Sequence, residues 1–295
     1  MPELTLTPTP PFDLDLTASH KTYYQREYGA DTYSDGVYRR TFEIGGALVL
    51  GAVRSTGAVE EPALAVEVGG DGLPSGVERA VRDEMSRILN VDVDLRPFYE
   101  TVRDDRFLLE ATQGLYGLHP PQTPSVFEAL VMAVVGQQIS GLVARAIRAR
   151  VVRELGTPFV VDGDTVHAFP QPLAFLRAGE ERLRGLGLSG RKAEYILGIA
   201  SRADDQPSFF DRLRKVTNQE VVEELTRIRG VGQWTAQWVL LGALGRTDAF
   251  PAGDLALRSL LSEAYFGGRS IHEKEALEFA GKQWGDYAGL ATTYL

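Results

Sequence analysis

The sequence contains no cysteine and only four histidines and five lysines among its 295 residues. The absence of cysteine excludes disulfides, a thiol nucleophile, cysteine-bound zinc and cysteine-bound iron–sulfur clusters. The histidines lack the short spacing of metal ligands, and they are His20, His119, His167 and His272. Any chemistry must therefore come from carboxylates, hydroxyls, lysine or the backbone.

Long hydrophobic runs are also lacking. The longest, residues 129–135 and 238–244, fall far short of the roughly 20 residues that a membrane-spanning helix requires. The N-terminus does not begin with the basic segment of a signal peptide. We therefore expect a soluble, cytoplasmic protein without a membrane partner, long enough for about two domains of roughly 150 residues each.

Positive charge is in deficit, because 31 basic residues face 40 acidic ones and give a net charge of -9. Nucleic-acid binding normally leaves a basic footprint, so this average argues against it. However, residues 1–120 hold 11 of the basic and 20 of the acidic residues. The excess acid is thus confined to the first part, and residues 121–295 can present local basic faces.

Strand patterns are concentrated in the first hundred residues. The predicted strands are residues 4–6, 12–16, 37–44, 47–53 and 63–68, with a hairpin turn at Gly45-Gly46. Residues 75–89 have helical spacing instead. The sequence thus predicts an α+β fold, in which a small antiparallel sheet domain with one or two helices, residues 1–112, precedes an all-helical core.

A proline-containing connection at residues 114–124 separates this domain from the helical region. Helix caps are predicted at Ser125, Ser140, Ser189 and, as a capping box with Glu220, at Thr217. The predicted helices cover 125–138 and 140–155, begin at 189 and 217, and continue at 233–244, 255–266, 272–282 and 286–295. We expect two helical subdomains, residues 113–247 and 248–295, the second packing against residues near 90–112.

The most informative segment is residues 225–236, LTRIRGVGQWTA. One helix ends at Gly230-Val231-Gly232 and another begins at once, so the unpaired N–H groups of the second helix can bind an anion such as a phosphate. The two glycines let the backbone approach closely. Taken alone, the same pattern also fits an ordinary turn between two helices.

The segment resembles the hairpin of the helix-hairpin-helix (HhH-GPD) DNA glycosylases. That hairpin reads approximately LPGVGxxTA and is followed, after one helix, by a loop with an aspartate. Here the loop is residues 247–254, and Asp254 falls on the position of the family's catalytic aspartate. Arg229 replaces the usual proline and leaves the turn glycines intact.

Further blocks resemble the AlkA-type 3-methyladenine DNA glycosylase II branch, whose members also carry an N-terminal β domain. The blocks are FEAL at 127–130, GQQIS at 136–140 and LGLSGRKAEYI at 186–196. The resemblance implies an enzyme that removes alkylated bases, of the 3-methyladenine and 7-methylguanine type, from damaged duplex DNA and so initiates base excision repair. It also implies a helix-hairpin-helix at about 217–243, and a monomer that requires no cofactor and, in a bacterium, associates with the nucleoid.

One residue type is missing from the hairpin. Members of the superfamily with lyase activity hold a nucleophilic lysine in the first turn after the hairpin, and that position matches Trp234 here. The resemblance therefore implies a monofunctional, water-using enzyme. The branch with a four-cysteine iron–sulfur cluster is excluded by composition.

A carboxylate at Asp254 suits cleavage of an N-glycosidic bond. Positive charge develops on the sugar as the bond breaks, and a carboxylate can stabilise that charge and orient a water molecule. The helix after the hairpin is about 16 Å long, and the following connection, 245–253, is long enough to bring Asp254 back beside Trp234. The alternative is that Asp254 only caps the next helix.

The resemblance places three tryptophans in the pocket for the extruded base: Trp234, Trp238 and Trp284. Trp234 and Trp238 are four residues apart and share a helix face. Bases alkylated at a ring nitrogen are cationic, and aromatic faces attract cations. As a bare pattern, the same pair also fits core packing, and around Trp284 the family's usual proline and arginine are absent.

The remaining site predictions concern DNA. By resemblance, the backbone at Gly230, Val231, Gly232, Gln233 and Thr235 binds a phosphate, and the carbonyls of Thr226, Ile228 and Val231 hold a structural Na⁺ or K⁺. Gln138 matches the residue that fills the gap left by the flipped base, although it also fits a solvated loop. Arg145, Arg148 and Arg150 follow on the next helix as either phosphate contacts or a solvated face.

Two other functions compete with an alkylated-base glycosylase. One is a non-catalytic protein that binds DNA lesions or shapes DNA, but such a protein has no use for a carboxylate close to phosphate. The other is a glycosylase for oxidised guanine, which the missing hairpin lysine disfavours. Asp254 and the lysine position therefore discriminate among the three.

Overall fold

The computed structural model describes residues 4–23, 30–70, 72–161 and 164–295. Its N-terminal part contains a five-stranded antiparallel sheet in the order β1-β5-β4-β3-β2. The strands are β1 Leu4–Leu6, β2 Asp31–Ser34, β3 Val37–Ile44, β4 Ala47–Ser55 and β5 Leu64–Gly69. The predicted α+β fold class, with the sheet first and the helices after it, is confirmed.

The central hairpin of the sheet follows from its turn residues. Gly45 and Gly46 join β3 to β4 with φ angles of 60° and 80°, which glycine adopts without strain. In the middle of β4, a Cβ on Gly51 would lie 2.4 Å from the Met85 side chain. The same Cβ would lie 2.8 Å from the branched side chain of Val81, so the lack of a side chain at Gly51 lets the helix that carries Val81 and Met85 pack this closely on the sheet.

The prediction of a strand at residues 12–16 is wrong. The chain forms helix α1 there, Leu14–Tyr23, because Asp13 accepts a hydrogen bond from the Leu16 N–H at 2.9 Å and so caps the first turn. The short strand β2, which the pattern did not predict, forms the edge of the sheet beside β3.

Helices dominate the rest of the chain, and the four predicted caps are confirmed. After α1 they are α2 Val77–Ile88, α3 Arg96–Val102, α4 Arg106–Gly114, α5 Val126–Gly136, α6 Gly141–Leu155, α7 Pro172–Gly185, α8 Gly190–Asp205, α9 Ser208–Arg212, α10 Asn218–Thr226, α11 Gln233–Gly242, α12 Leu255–Tyr265, α13 Glu273–Trp284 and α14 Ala288–Tyr294. A small hairpin, β6 Pro158–Val161 and β7 Asp164–His167, interrupts the region that the sequence predicts to be helical.

Three hydrophobic clusters form the core. The first, between Leu6 and Val91, packs α2 under the sheet. The second comes almost entirely from residues 126–249. The third joins residues 95–118 to residues 250–294. Helices α3 and α4 thus pack with the C-terminal helices rather than with the sheet.

A group of buried charges connects the sheet to the helical core. Arg40 on β3 lies 2.6 Å from Asp31 on β2 and 2.7 Å from Glu128 on α5, and all three side chains are at most 4% exposed. Lys21 on α1 donates to the Gln122 carbonyl at 2.7 Å, and its burial lowers its pKa. These opposite charges offset one another's desolvation and fix the sheet against the start of α5.

No helix within the described ranges is long and apolar enough to cross a membrane.

Candidate active site

The helix-turn-helix at α10 and α11 is built around one glycine. Gly230 has a φ of 90°, and a Cβ there would lie 2.2 Å from the ring of Tyr195 on α8. The carbonyl of Gly230 also accepts a hydrogen bond from the Gln137 amide at 3.0 Å. The turn is therefore held against both α8 and the end of α5, so its backbone geometry is fixed before any ligand arrives.

The exposed side of this turn presents backbone N–H groups. Gly232 is the N-cap residue of α11 and has no side chain to cap the helix, so the first-turn N–H groups remain available. Gly232 and Gln233 are exposed, whereas the side chain of Val231 is buried. The side chain of Thr235 is only 1% exposed, so the phosphate contact predicted for Thr235 depends on its backbone N–H alone.

A groove of about 450 Å³ runs beside the turn. Its lining consists of Gln137, Gln138, Ser189, Arg191, Lys192, Tyr195, Gly230, Val231 and Gly232. Arg191 and Lys192 occupy the first turn of α8, and Lys192 Nζ donates to the Val135 carbonyl at 2.9 Å. An acidic protein thus places two cations next to the free amides of the hairpin.

The other residues predicted to contact DNA lie in the loop between α5 and α6 and on α6 itself. Gln138 is exposed in the α5–α6 loop, where it adopts a φ of 55°, and Arg145 on α6 is half-buried. Arg148 donates to the Met132 carbonyl and Arg150 to the Leu186 carbonyl, at 2.8 Å each. The interpretation of Arg148 and Arg150 as phosphate contacts is corrected, because their guanidinium groups hold neighbouring helices together.

Asp254 lies at the end of the loop that follows α11. Its Oδ1 accepts hydrogen bonds from the N–H groups of Ala256 and Leu257 at 2.9 and 3.0 Å. Its Oδ2 accepts from Trp234 Nε1 at 2.8 Å. Asp254 therefore caps α12 with one oxygen, and its other oxygen faces the indole of Trp234; its catalytic role stays a prediction.

Trp234 and Trp238 form one side of an aromatic cleft of about 310 Å³. Their ring centroids are 6.4 Å apart and their planes meet at 67°. The Nε1–H of Trp238 is buried and has no hydrogen-bond partner within the described residues. The full lining of the aromatic cleft is Thr123, Ala129, Met132, Ala133, Arg148, Trp234, Trp238, Val239 and Gly242.

Trp284 does not reach this cleft, and its predicted role in the base pocket is corrected. It is 1% exposed, and its Nε1 donates to Asp105 Oδ2 at 3.2 Å. The rings of Phe250, Tyr265 and Phe279 surround it. Because Asp105 satisfies the indole N–H, the whole ring can be buried between α4 and α13 as a core residue.

Comparison with known proteins decides the family. Residues 131–285, just over half of the chain, match the HhH-GPD superfamily of base excision DNA repair proteins. The chain belongs to this superfamily. The match covers the hairpin, both cleft tryptophans and Asp254, so the resemblance predicted from the sequence is confirmed.

Individual relatives of this HhH-GPD protein cover most of its length. A solved structure, the 3-methyladenine DNA-glycosylase from Archaeoglobus fulgidus, has a TM-score of 0.85 and 28% identity, over 99% of this chain and 96% of that one. The DNA-3-methyladenine glycosylase of Bacillus subtilis is 29% identical over 255 residues, 84% of this chain and 83% of the relative. A probable N-glycosylase/DNA lyase of Methanothermobacter thermautotrophicus is 26% identical over 241 residues, 74% of each chain.

The structure places residues beside the candidate site whose positions the sequence did not predict. Arg148 and Met132 line the aromatic cleft although they lie on α6 and α5, far from the hairpin in sequence. Leu255, directly after Asp254, is 76% exposed, and Leu142, four residues after Gln138, is 71% exposed. Large apolar residues next to a candidate site residue could have indicated these two positions. Nothing in the helical pattern of α6 distinguishes Arg148 from the other arginines of that helix.

Proposed function

We propose that this protein is a monofunctional DNA glycosylase, which hydrolyses the N-glycosidic bond of alkylated bases, of the 3-methyladenine and 7-methylguanine type, in duplex DNA. The observation that carries the proposal is the 2.8 Å hydrogen bond from Trp234 Nε1 to Asp254 Oδ2. It joins a carboxylate to the aromatic cleft next to the hairpin. The relatives named as 3-methyladenine glycosylases support the choice of alkylated bases, and removing such a base initiates base excision repair.

The hairpin binds the DNA backbone. The N–H groups of Gly230, Gly232, Gln233 and Thr235 donate to one phosphate, whereas that of Val231 donates to the Ile228 carbonyl within the turn. The positive end of the α11 dipole adds to the attraction. Arg191 and Lys192, across the groove, contribute charge to the same strand. Contacts of this kind read no sequence, which suits an enzyme that must examine any stretch of duplex.

The damaged base leaves the stack and enters the aromatic cleft. Gln138, exposed beside the hairpin groove, fills the gap in the duplex, and the half-buried Arg145 supports the neighbouring backbone. The base stacks on an indole face of Trp234 or Trp238. A cationic base gains from the ring quadrupole and is already a good leaving group.

Asp254 then acts on the sugar. As the C1′–N bond breaks, its electron pair leaves with the base and positive charge develops on C1′ and the ring oxygen. The carboxylate stabilises this charge, and it orients the water that attacks C1′. Three N–H donors hold Asp254 in place, so no reorganisation is needed during the reaction. The water releases one proton to solvent and keeps the other as the C1′ hydroxyl of the abasic sugar, while the cationic base leaves as a neutral molecule.

The nucleophile is water rather than an amine. Among the described residues that line the aromatic cleft, none is a lysine, and the position that matches the lyase lysine is Trp234. Lys192 lines the groove beside the hairpin, and its Nζ donates a hydrogen bond to the Val135 carbonyl. Without an amine at C1′ no Schiff base forms, so the DNA strand stays uncut.

A structural Na⁺ or K⁺ fits the hairpin. Within the described residues, the carbonyl oxygens of Thr226 and Val231 accept no hydrogen bond, and that of Ile228 accepts one from Val231 N–H at 3.0 Å. Three such oxygens, with water, suit a hard monovalent cation, which would stiffen the turn. The chemistry needs no other cofactor, and one chain supplies every site residue, so we expect the protein to act as a monomer.

The test is base release from methylated duplex DNA, analysed by chromatography, together with gel analysis of the DNA strand. The expected result is free 3-methyladenine and 7-methylguanine, with strand breaks appearing only after alkaline treatment. Binding without release would support the non-catalytic alternative. Direct strand cleavage with a borohydride-trapped adduct would contradict the monofunctional mechanism.

A further inference from the structure

The wall of the aromatic cleft offers few groups that could hydrogen-bond the edge of a base. Most of its described residues are apolar. The Nε1–H of Trp234 is already bonded to a carboxylate, and the Nε1–H of Trp238 is buried. The guanidinium of Arg148 is a donor only. Among the described side chains of the wall, the hydroxyl of Thr123 alone can both donate and accept a hydrogen bond.

The backbone of Thr123 is held beside the helix that carries both tryptophans. Its N–H donates to the Gly242 carbonyl, at the end of α11, at 2.6 Å. Its carbonyl accepts a hydrogen bond from Arg87 Nη1 at 3.3 Å. Pro124 follows directly and restricts the Thr123 backbone to extended conformations, and the branched Cβ restricts the side-chain rotamers. The half-buried hydroxyl therefore has a defined place at the cleft.

The fold does not use this hydroxyl. Both backbone polar groups of Thr123 are bonded within the protein, whereas its Oγ1 makes no hydrogen bond within the described residues. Elsewhere, the hydroxyls of Thr22, Thr226 and Thr292 donate to carbonyls of their own helices. A hydroxyl without a protein partner at the wall of a cleft is available to a ligand.

We infer that Thr123 is a further base-binding residue, whose hydroxyl hydrogen-bonds the exocyclic group of the base in the aromatic cleft. The inference rests on the proposed function, because it concerns the base that enters the same cleft. Adenine presents an amino group at position 6, which donates, and guanine presents an oxygen there, which accepts. A hydroxyl rotates to match either group, so one residue can hold both 3-methyladenine and 7-methylguanine.

The hydrogen bond supplies what stacking lacks. An indole face attracts a flat base but does not fix its rotation within the plane of the ring. A contact at the edge of the base removes that freedom. The base is then held with its glycosidic bond in one direction, which keeps the sugar at a constant position relative to Asp254.

The test compares Thr123→Val with Thr123→Ser, because these substitutions separate hydrogen bonding from packing. Valine keeps the shape of the side chain and removes the hydroxyl, whereas serine keeps the hydroxyl and removes the methyl group. The measured quantity is single-turnover release of 3-methyladenine and 7-methylguanine from methylated duplex DNA, with the melting temperature and the affinity for undamaged duplex measured alongside. Thr41→Val on β3 is the matched control, since its hydroxyl also lacks a partner within the described residues but does not line the cleft.

We expect release of both bases to fall about tenfold in Thr123→Val, in the range for one hydrogen bond lost in a buried site. Its melting temperature and duplex affinity should be unchanged, and Thr123→Ser and Thr41→Val should release both bases at close to the wild-type rate. Full release by Thr123→Val, or an equal or larger loss in Thr123→Ser, would overturn the inference while the proposed function stands. A loss that weaker binding to undamaged duplex accounts for would overturn it as well. Failure of the wild-type protein to release any base would instead overturn the proposed function, and the inference with it.

Discussion

The junction between the sheet and the helical core, and the candidate active site, hold their charges in different ways. At the junction, the buried Arg40 forms salt bridges with Asp31 and Glu128, so the opposite charges offset one another. At the candidate active site, Asp254 accepts three hydrogen bonds from neutral N–H groups.

On the proposed function, the difference separates a charge that stabilises the fold from a charge that acts on a substrate. An ion pair inside the protein has its field cancelled by its partner, and its main effect is to fix two elements in register. A carboxylate that is oriented by neutral donors keeps its full negative charge. It can therefore stabilise positive charge that develops on a substrate, without any rearrangement of the surrounding groups. Substitutions at the junction should therefore change the stability of the protein, whereas substitutions at the candidate active site should change DNA binding and the excision rate.

The largest expected effect on stability comes from Arg40→Met. It leaves two buried carboxylates without the cation that is hydrogen-bonded to both, and we expect a loss of about 3–5 kcal/mol in the free energy of unfolding, measured by urea denaturation. Arg54→Met is the matched control on the next strand, where the pair with Glu67 is exposed and contributes less than about 1 kcal/mol. Equal losses in the two variants would contradict a special role for the buried group.

Next in size is the effect of the cleft tryptophans on discrimination between bases. Replacing Trp234 or Trp238 with Leu should reduce excision of cationic methylpurines more than excision of hypoxanthine. A desolvated cation–π contact contributes about 2 kcal/mol, or roughly thirtyfold in rate. Equal losses on both substrates, at an unchanged melting temperature, would leave shape selection as the explanation.

A smaller effect is expected at the hairpin. Gly232→Asp puts a carboxylate at the N-cap of α11, where it can accept hydrogen bonds from the N–H groups that would otherwise bind a phosphate. The substitution causes no clash, because a Cβ at this position meets nothing within 4 Å. We expect about tenfold weaker binding, in the range of one charge-assisted hydrogen bond, to damaged and undamaged duplexes alike. Gly281→Asp adds the same charge on exposed α13, and unchanged affinity is expected there. Loss confined to damaged DNA would argue against a phosphate contact.

The smallest effect concerns Gln138. Gln138→Ala should lower the excision rate about fivefold, the value of one net hydrogen bond of about 1 kcal/mol, because the gap in the duplex is then filled less well. Fluorescence of 2-aminopurine beside the lesion measures flipping directly. A variant that flips the base as well as the wild type does would remove Gln138 from this role.

The sequence predicts those parts of the candidate site that depend on neighbouring residues along the chain. The Gly-rich turn, the caps and the distance from Trp234 to Asp254 follow from backbone reach and helix length. The strand predicted at residues 12–16 is wrong because Asp13 caps a helix, a local signal that alternation obscured.

Other features depend on packing between distant segments. Trp284 is buried because Asp105, far away in sequence, accepts its N–H. Arg148 lines the aromatic cleft because α5 ends in a glycine that makes room for it. Neither contact leaves a pattern in the single sequence, since each requires two helices from different parts of the chain to meet at a given angle.

The central claim is that the carboxylate of Asp254 performs the chemistry, and the most direct test is single-turnover base release by Asp254→Asn. Asparagine can cap α12 with its amide oxygen but loses the hydrogen bond from Trp234 Nε1, so the variant should fold with a loss of only about 1 kcal/mol in stability. Its affinity for the duplex should be equal or higher, because a negative charge near the phosphates is removed. The predicted result is a fall of about two to three orders of magnitude in the excision rate, the range for loss of one preorganised electrostatic group. A variant that folds, binds and releases methylated bases at close to the wild-type rate would contradict the account.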